Sequence, residues 1–285
     1  MCSIFKYKDI VGRNFDYDVS YNEELRVIDR GEYNNRFKII GMCTGYIKNY
    51  PLMYDGMNEF GVVCGALAFE DNAKYRDTDE SKINIPAYDF VFYILSNFSS
   101  VKGVKTFLSD GVYITNENYS KEFPSSDLHW FIADKFDSII VEHTIDGLII
   151  SDATVMTNNP PYKNQKSFYL QNEKDIGNCV TRRVYRKMFK TRGLETWNLN
   201  GDYTSEGRFI RLSWLKEQLE KTDNFFNIVN QGFHLLSSVE QIYGVTAVEN
   251  NFEYTIYSIV YDMNELKVYI KFYDDYTVKE RRLLE

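Results

Sequence analysis

The 285-residue sequence has few cysteines and no long run of apolar residues. Its cysteines, Cys2, Cys43, Cys64 and Cys179, are too few for a disulfide scaffold, and no two of them have the short spacing of a zinc site. A membrane-spanning helix needs about 20 consecutive apolar residues, and the sequence offers no such stretch. We therefore expect reduced thiols, no metal or other cofactor, and no membrane as a partner.

Basic residues are also in the minority, since 33 Lys and Arg stand against 41 Asp and Glu, for a net charge of −8. A nucleic-acid-binding protein normally presents a basic face, so we expect no nucleic acid as a partner. The first residues lack the basic segment followed by an apolar one that marks a signal peptide. This pattern predicts a cytoplasmic protein.

Linkers rich in proline, glycine or serine are absent, and so are internal repeats and low-complexity segments. What the sequence does have is 44% hydrophobic residues, among them 23 tyrosines and 20 phenylalanines, enough for a sizeable core. The predicted elements follow the order strands, helices, strands, helices, strands, which favours sheets covered by helices. We expect one α+β domain over residues 2–285.

Short apolar stretches predict strands, and apolar residues repeating every three to four positions predict helices. The predicted strands cover residues 2–7, 10–15, 37–44, 61–69, 128–133, 138–143, 148–151, 254–261 and 266–273. Helices are predicted within residues 87–109, 209–219 and 225–238, and Ser99 or Ser100 would cap the second half of the first of these regions. Residues 54–59 contain an Asp-Gly pair and favour a turn. Residues 160–207 are the least regular part, with a basic stretch over residues 182–192 that favours a solvated helix.

The most informative residue is Cys2, because removal of Met1 would place a thiol and a free α-amine on one residue. A thiolate attacks acyl carbons, and an α-amine with a pKa of about 8 can accept the thiol proton at neutral pH. The initiator methionine is generally removed when the next side chain is small. Judged by position alone, Cys2 is more often an inert packing residue, so support for a catalytic role has to come from other positions.

An N-terminal cysteine nucleophile needs a nearby cation, a carboxylate to hold its amine, and hydrogen-bond donors for the oxyanion. The tight turn between the first two predicted strands would return Arg13 and Asp16 to the neighbourhood of Cys2. Asn158 lies where the predicted strand region of residues 128–156 ends, and Arg208 lies at a predicted helix start. Taken singly, Arg13 and Asp16 are more typical of a surface ion pair, and Asn158 is more typical of a turn.

Taken together and in order, these positions resemble the choloylglycine hydrolases, which comprise bile salt hydrolases and penicillin V acylases and belong to the N-terminal nucleophile hydrolases. The matching stretches are residues 1–2, 12–16, 54–61, 128–135, 156–160, 201–203, 208–209 and 253–258. Each stretch is weak alone, whereas the ordered set, which spans most of the chain, is specific.

The resemblance implies a role for each candidate residue. Cys2 would be the nucleophile with its own amine as base, Arg13 the cation beside the thiolate, and Asp16 the carboxylate that holds the amine. Asn158 would donate to the oxyanion through its side-chain amide, and Arg208 would support the site electrostatically. The implied fold is a four-layer αββα sandwich, and the implied assembly is a homo-oligomer, a tetramer or a dimer.

Two positions depart from the family pattern. Where bile salt hydrolases carry Asn and penicillin V acylases carry Tyr, this sequence has Ala68. The backbone N–H of Ala68 can still donate to an oxyanion, but its side chain cannot contact the substrate as either of the others does. The residues that would form the family's assembly hairpin, after Asn159-Pro160, are not evident in this sequence either.

The resemblance predicts a cysteine-dependent hydrolase of linear, non-peptide amide bonds, with a small-molecule N-acyl amide as its substrate. The leading interpretation is a conjugated bile salt hydrolase-like enzyme, and the alternative is an acylase acting on penicillin V, another N-acyl amine or an acyl homoserine lactone. A catalytically silent member that only binds or assembles is a further alternative. A hydrolase with a histidine base would have only His129, His143 and His234 to draw on.

Overall fold

The computed structural model describes residues 1–178, 182–222 and 226–284. The strands in these residues are β1 (Cys2–Tyr7), β2 (Ile10–Tyr17), β3 (Glu24–Ile28), β4 (Ile39–Cys43), β5 (Met53–Asn58), β6 (Val63–Ala68), β7 (Asn84–Pro86), β8 (Tyr113–Thr115), β9 (Leu128–Ala133), β10 (Ser138–Thr144), β11 (Gly147–Asp152), β12 (Val155–Met156), β13 (Thr246–Val248), β14 (Asn251–Asp262), β15 (Lys267–Phe272) and β16 (Asp275–Arg282). The α-helices are α1 (Phe90–Asn97), α2 (Val101–Ser109), α3 (Tyr162–Asn172), α4 (Arg182–Phe189), α5 (Ser205–Glu220) and α6 (Ile228–Ser237).

Two antiparallel sheets of seven strands each form the centre of the fold. Sheet I has the order β12-β1-β2-β14-β15-β16, with β13 paired to β14, and sheet II has the order β11-β10-β9-β6-β5-β4-β3. A short parallel pair, β7 and β8, lies apart from both sheets. The first strands of the chain are therefore central in sheet I, and the strand that carries Ala68 is central in sheet II.

Three hydrophobic cores separate four layers. One core lies between sheet II and helices α1 and α2, a second lies between the two sheets, and a third lies between sheet I and helices α3, α5 and α6. Along β1, Ile4 belongs to the core between the sheets and Phe5 to the core beneath the helices, as the two-residue repeat of a strand requires. The layer order is αββα, and the predicted four-layer α+β sandwich is confirmed.

The first hairpin forms as predicted. Strands β1 and β2 pair in the register Ile4–Arg13 and Cys2–Phe15, and Lys8 in the turn takes a positive φ of 50°. Helix α2 begins after Ser100, whose hydroxyl accepts a hydrogen bond of 3.2 Å from the N–H of Gly103. One of the two predicted capping serines is therefore confirmed as the N-cap.

The predicted turn over residues 54–59 is wrong, because Met53–Asn58 is strand β5, in the middle of sheet II. The glycine of its Asp-Gly pair serves close strand packing instead of a turn. A Cβ on Gly56 would lie 3.0 Å from the carbonyl oxygen of Ile40, and a Cβ on the facing Gly41 would lie 2.3 Å from the carbonyl oxygen of Asp55. The chain turns only after β5, at Gly61, which has a φ of 77°.

The region that looked least regular, residues 160–207, contains helices α3 and α4 and the beginning of α5. The basic stretch predicted as a solvated helix begins as α4, whose described side chains are exposed. Strands β3, β7, β8, β13 and β16 were not predicted. Helix α6 begins at Ile228, and Phe225, where the predicted helix started, lies outside the described residues.

Cys2, Cys43 and Cys64 are free thiols and are buried, whereas Cys179 lies outside the described residues. No helix in the described ranges is both long and apolar enough to cross a membrane. The described residues also contain no group of three or more His, Cys, Asp or Glu side chains placed to hold a metal ion.

Candidate active site

The five predicted polar site residues converge on one point between the layers. Cys2 opens β1, Arg13 and Asp16 lie on β2, Asn158 follows β12, and Arg208 lies in the first turn of α5. All five side chains are buried. Although the chain separates Cys2 from Arg208 by about 200 residues, the two are in direct contact.

Arg13 extends from sheet I to sheet II beside the thiol of Cys2. Its Nη2 lies 3.8 Å from the Cys2 Sγ and donates a hydrogen bond of 2.5 Å to the carbonyl of Ala66. Its Nη1 donates to the carbonyl of Tyr54 at 2.7 Å. The pairing of β5 with β6 ends at Asp55–Gly65, so Tyr54 and Ala66 would form the next pair. The guanidinium therefore occupies the place where these two strands separate, and its position is set by both of them.

Asp55 supplies the charge that balances Arg13. The two side chains form a fully buried ion pair, and the Asp55 carboxylate also accepts hydrogen bonds from the hydroxyls of Tyr257, at 2.5 Å, and Tyr261. Burial and the neighbouring Asp55 charge raise the pKa of both tyrosines well above their usual value. Burial acts to lower the pKa of Arg13, but Tyr257, Asp55 and Cys2 outweigh it, so the pKa is raised and the guanidinium is charged.

Asp16 is held from the side opposite Cys2. Its carboxylate accepts hydrogen bonds from the Thr255 hydroxyl at 2.6 Å and from the Gln241 side-chain amide at 3.1 Å. Arg208 Nη1 lies 3.8 Å from the same carboxylate. The backbone carbonyl of Asp16, for its part, lies 3.9 Å from the Cys2 Sγ. The carboxylate is thus fixed and paired within the site.

Asn158 contacts both the first strand and the end of β6. Its Oδ1 accepts hydrogen bonds from the backbone N–H of Cys2 at 2.6 Å and from Arg208 Nη2 at 3.0 Å. Its Nδ2 donates to the carbonyl of Ala68 at 2.9 Å. Gln165 of α3 donates to the backbone carbonyl of Asn158 and fixes the loop from behind.

Arg208 reaches Cys2 from the helical layer. Thr204 caps α5 by accepting a 3.0 Å hydrogen bond from the N–H of Gly207, which places Arg208 in the first turn of the helix. Its Nη1 donates to the carbonyl of Cys2 at 2.6 Å and to the Ser3 hydroxyl at 2.7 Å. Burial lowers the pKa of Arg208, while the nearby Asp16 and Cys2 act to raise it.

Ala68 presents its backbone polar groups to this site. The N–H of Phe69 donates to the backbone carbonyl of Asp127 at 2.8 Å, so these two residues form a hydrogen-bonded pair of the β6–β9 ladder. Hydrogen-bonded and non-hydrogen-bonded pairs alternate along an antiparallel ladder. Ala68, which pairs with Leu128, therefore points its N–H and its carbonyl away from β9. Since the carbonyl meets Asn158, the N–H of Ala68 lies on the same side of the strand as Asn158.

Met1 precedes Cys2 in this structure, so the nitrogen of Cys2 is a peptide N–H while Met1 is present. The α-amine of Met1 donates to the carbonyl of Asp16 at 2.8 Å and forms an ion pair with the carboxylate of Glu253. Burial lowers the pKa of this amine below its usual value, although Cys2 and Asp16 act to raise it.

Comparison with known proteins agrees with this geometry. Residues 3–285 match the family of linear amide C–N hydrolases described as the choloylglycine hydrolase family. The chain belongs to this family. The bile salt hydrolase/transferase of Lactiplantibacillus plantarum is 35% identical over 96% of this chain and 90% of its own length. That of Clostridium perfringens is 31% identical over 87% of this chain and 80% of its own length.

Solved structures of a conjugated bile acid hydrolase and of a penicillin V acylase have the same fold. The Clostridium perfringens conjugated bile acid hydrolase, in its C2A variant, superposes with a TM-score of 0.87 at 28% identity, over 99% of this chain and 92% of that one. The penicillin V acylase of Agrobacterium tumefaciens has a TM-score of 0.74 at 19% identity, over 99% of this chain and 86% of that one, and so supports the fold alone. The predicted family, its fold and the assignment as an amide hydrolase are confirmed.

The histidines in the described residues contact groups other than Cys2, whereas a histidine base would contact the Cys2 thiol. His129 stacks on Phe69, with ring centroids 4.3 Å apart, and its Nδ1 lies 3.4 Å from Glu142. His143 lies 2.5 Å from the carbonyl of Lys74, and His234 is exposed on α6. These contacts favour structural roles for the first two histidines.

Several residues of the site were missed by sequence reasoning. Asp55 lies within a stretch that carried the family resemblance, but the predicted turn concealed its place in a sheet. Glu253 and Thr255 likewise lie within the last matching stretch, on β14, two residues apart and therefore on the same face of the strand. No feature of the sequence indicated Gln241, which lies in a loop after α6.

Proposed function

We propose that this protein hydrolyses the amide bond of conjugated bile salts, with Cys2 as the nucleophile after removal of Met1, and that residues 2–285 form one N-terminal nucleophile amidase domain. The observation that carries the proposal is the position of the Cys2 Sγ, 3.8 Å from Arg13 and adjacent to a nitrogen held by Asn158. The names of the relatives from L. plantarum and C. perfringens support the choice of bile salts.

The proposed reaction begins with the nitrogen of Cys2. Removal of Met1 turns this peptide nitrogen into an α-amine that can take the proton from the Cys2 thiol. The thiolate, beside the Arg13 cation, attacks the acyl carbon, and the C–N bond breaks as the proton passes to the leaving amine. Water then hydrolyses the thioester, which releases the bile acid and restores the thiol.

The oxyanion that forms during attack needs donors that are already in place. The side-chain amide of Asn158 and the backbone N–H of Ala68 lie on the same side of β6, and we assign this role to them. Asp16 and Arg208 support the reacting groups without donating to the oxyanion. Asp16 would offset the charge of the protonated amine, and Arg208 would hold Asn158 Oδ1 and the carbonyl of Cys2 at 3.0 Å and 2.6 Å.

Aromatic residues next to Cys2 suit an apolar acyl group. Phe15 lies opposite Cys2 in the β1–β2 ladder, stacks on Tyr257 with centroids 5.0 Å apart, and contacts Tyr54 at 4.7 Å. Tyr17 continues the cluster, 6.4 Å from Phe15. Phe15 and Tyr257 are buried, whereas Tyr17 and Tyr54 are only partly buried. The accessible parts of these two rings beside the nucleophile favour a large apolar acyl group such as a steroid acid.

The test is a hydrolysis panel on purified protein whose loss of Met1 has been verified by intact mass. The panel contains glycine- and taurine-conjugated bile salts, penicillin V and an acyl homoserine lactone. We expect turnover of the bile salts by the wild-type protein and none by Cys2→Ala. Turnover by Cys2→Ala, or by protein that retains Met1, would contradict the mechanism, and a preference for penicillin V would contradict the substrate.

We also propose that the protein is a homo-oligomer, a tetramer or a dimer, and that it acts in the cytoplasm. Exposed apolar side chains on and near α4, including Met188, Phe189 and Trp197, support an interface there, and the free buried thiols of Cys2, Cys43 and Cys64 suit a reducing compartment. Light scattering should give the mass of an oligomer for the wild type and a smaller mass for Phe189→Glu, and cell fractionation tests the compartment.

A further inference from the structure

We infer that His129 and Glu142 are positioning residues for the oxyanion donors, a role that rests on the proposed function of Cys2. The two side chains lie directly opposite each other on neighbouring strands of sheet II, since Val141 pairs with Trp130 and the next position aligns Glu142 with His129. The His129 Nδ1 lies 3.4 Å from the Glu142 Oε1, and both side chains are buried. Each member of the pair also contacts one of the two segments that carry the donors.

The first of these segments is the end of β6. The ring of His129 stacks on the ring of Phe69, with centroids 4.3 Å apart and an angle of 9° between the planes. Phe69 is fully buried and directly follows Ala68, whose N–H would face the oxyanion. The stacked ring therefore limits how far the end of β6 can shift along or away from sheet II.

The second segment is the loop from Asn158 into α3. The Glu142 carboxylate accepts a 2.9 Å hydrogen bond from the N–H of Tyr162, the first residue of α3, where a negative charge is favourable because of the helix dipole. One turn further along α3, Gln165 donates to the carbonyl of Asn158 and, at 2.7 Å, to that of Pro160. Glu142 thus anchors α3, the helix whose Gln165 donates a hydrogen bond to the backbone carbonyl of Asn158.

His129 and Glu142 therefore connect the two donor-bearing segments at a distance from Cys2. The 2.9 Å hydrogen bond from Asn158 to Ala68 connects the same segments at the site itself. Oxyanion donors act mainly on the transition state, because the negative charge develops only there. Loosening the pair should consequently lower kcat and leave KM nearly unchanged.

Three variants separate this role from a general loss of stability. Glu142→Ala removes both contacts of the carboxylate, whereas Glu142→Gln keeps an acceptor for Tyr162 and a group that can bond to His129. His129→Phe keeps a ring against Phe69 and removes only the link to Glu142. His234→Gln, on the exposed face of α6, is the matched control.

For Glu142→Ala we expect kcat on the best substrate of the panel to fall about 10- to 100-fold, with KM within about twofold of the wild type. Glu142→Gln should restore most of the rate, His129→Phe should be intermediate, and His234→Gln should match the wild type. The inference would be overturned if Glu142→Ala had the kcat of the wild type. It would also be overturned if KM rose by as large a factor as kcat fell.

Hydrogen–deuterium exchange of the same proteins gives a readout that does not depend on turnover. In Glu142→Ala, exchange should rise in residues 67–72, to which Glu142 makes no hydrogen bond in the described structure. Glu142→Gln and His234→Gln should leave the exchange unchanged. Unchanged exchange in residues 67–72 of Glu142→Ala would overturn the inference even if the melting temperature fell. If the wild type hydrolyses nothing in the panel, the proposed function fails, and the exchange data still decide whether the pair positions this segment.

Discussion

Arg13 and Asp55 form a fully buried ion pair that joins the two sheets, Arg13 from β2 of sheet I and Asp55 from β5 of sheet II. The cation beside the Cys2 thiol is thus held by a carboxylate on the opposite layer. Breaking a buried ion pair by removing one charge generally costs about 3–5 kcal/mol, because the remaining charge stays buried without its partner. The same contact should therefore govern both stability and catalysis.

Asp55→Asn tests this relationship. The amide oxygen of the variant can still accept from Arg13. Its NH2 group, however, would face a tyrosine hydroxyl that donates to the carboxylate in the wild type. Two donors would then meet, so we expect the guanidinium to shift. We expect kcat/KM to fall about 100-fold and the free energy of unfolding to fall by about 3 kcal/mol. Tyr261→Phe is the control, since it removes one hydroxyl donor and leaves the ion pair, and it should cost about 2 kcal/mol because the acceptor is charged. An Asp55→Asn protein with wild-type kcat/KM would show that Arg13 does not depend on Asp55.

Gly41→Ala tests the close packing that makes residues 53–58 a strand. A Cβ at position 41 would lie 2.3 Å from the backbone carbonyl oxygen of Asp55, and backbone cannot yield as a flexible side chain can. We expect a loss of about 2–3 kcal/mol in the free energy of unfolding, measured by urea denaturation. Gly201→Ala is the matched control, because a Cβ there meets no atom within 4 Å. Equal stabilities of the two variants would refute the packing argument.

Ala68→Asn tests how this position affects substrate choice. The variant restores the residue that the bile salt hydrolase resemblance implies, and Ala68→Tyr restores the penicillin V acylase residue. Both keep the backbone N–H, so we expect turnover to persist while the ratio of kcat/KM for a glycine-conjugated bile salt over penicillin V changes about tenfold, upward for Asn and downward for Tyr. Ala68→Gly, which adds no side chain, should leave the ratio unchanged. Identical ratios in all four proteins would exclude a role of this side chain.

The pH profile tests whether the N-terminal amine is the base. Burial lowers the pKa of the Met1 amine at this site, and we expect the same direction for the amine that Cys2 gains when Met1 is removed. Only the neutral amine accepts a proton, so kcat/KM should rise with pH and reach half its maximum below the ordinary value of about 8. A taurine conjugate suits the measurement because its sulfonate stays ionised throughout. A midpoint at pH 8 or above would contradict the assignment.

The parts of the site that follow from local geometry were predictable. A two-strand hairpin with a tight turn brings Arg13 and Asp16 beside Cys2, whatever the rest of the chain does. Asn158 and Arg208 arrive from distant segments, and only the resemblance, carried by ordered motifs, connected them to Cys2. Local pattern therefore accounts for the positions of Arg13 and Asp16, and the family resemblance accounts for those of Asn158 and Arg208.

What was missed depends on tertiary packing. The Asp-Gly pair at Asp55 has the composition of a turn. Here, however, Gly56 lacks a side chain because β4 and β5 approach each other closely at this position. Helix α3 escaped detection because it has few buried positions, Gln165 and Tyr169. One of its anchors is the pair of hydrogen bonds that Gln165 donates to the carbonyls of Asn158 and Pro160, which hydrophobic periodicity cannot show.

The placement of Met1 has a consequence for the order of events in the cell. While Met1 is present, its amine is partly buried against Asp16 and Glu253, and under the proposed mechanism the thiol lacks its base until this residue has been removed. The terminus is free of these contacts only before β1 pairs with β2 and β12, so we expect removal of Met1 before that pairing. The proportion of competent enzyme would then be decided during synthesis on the ribosome, and a molecule that folded too early would remain inactive.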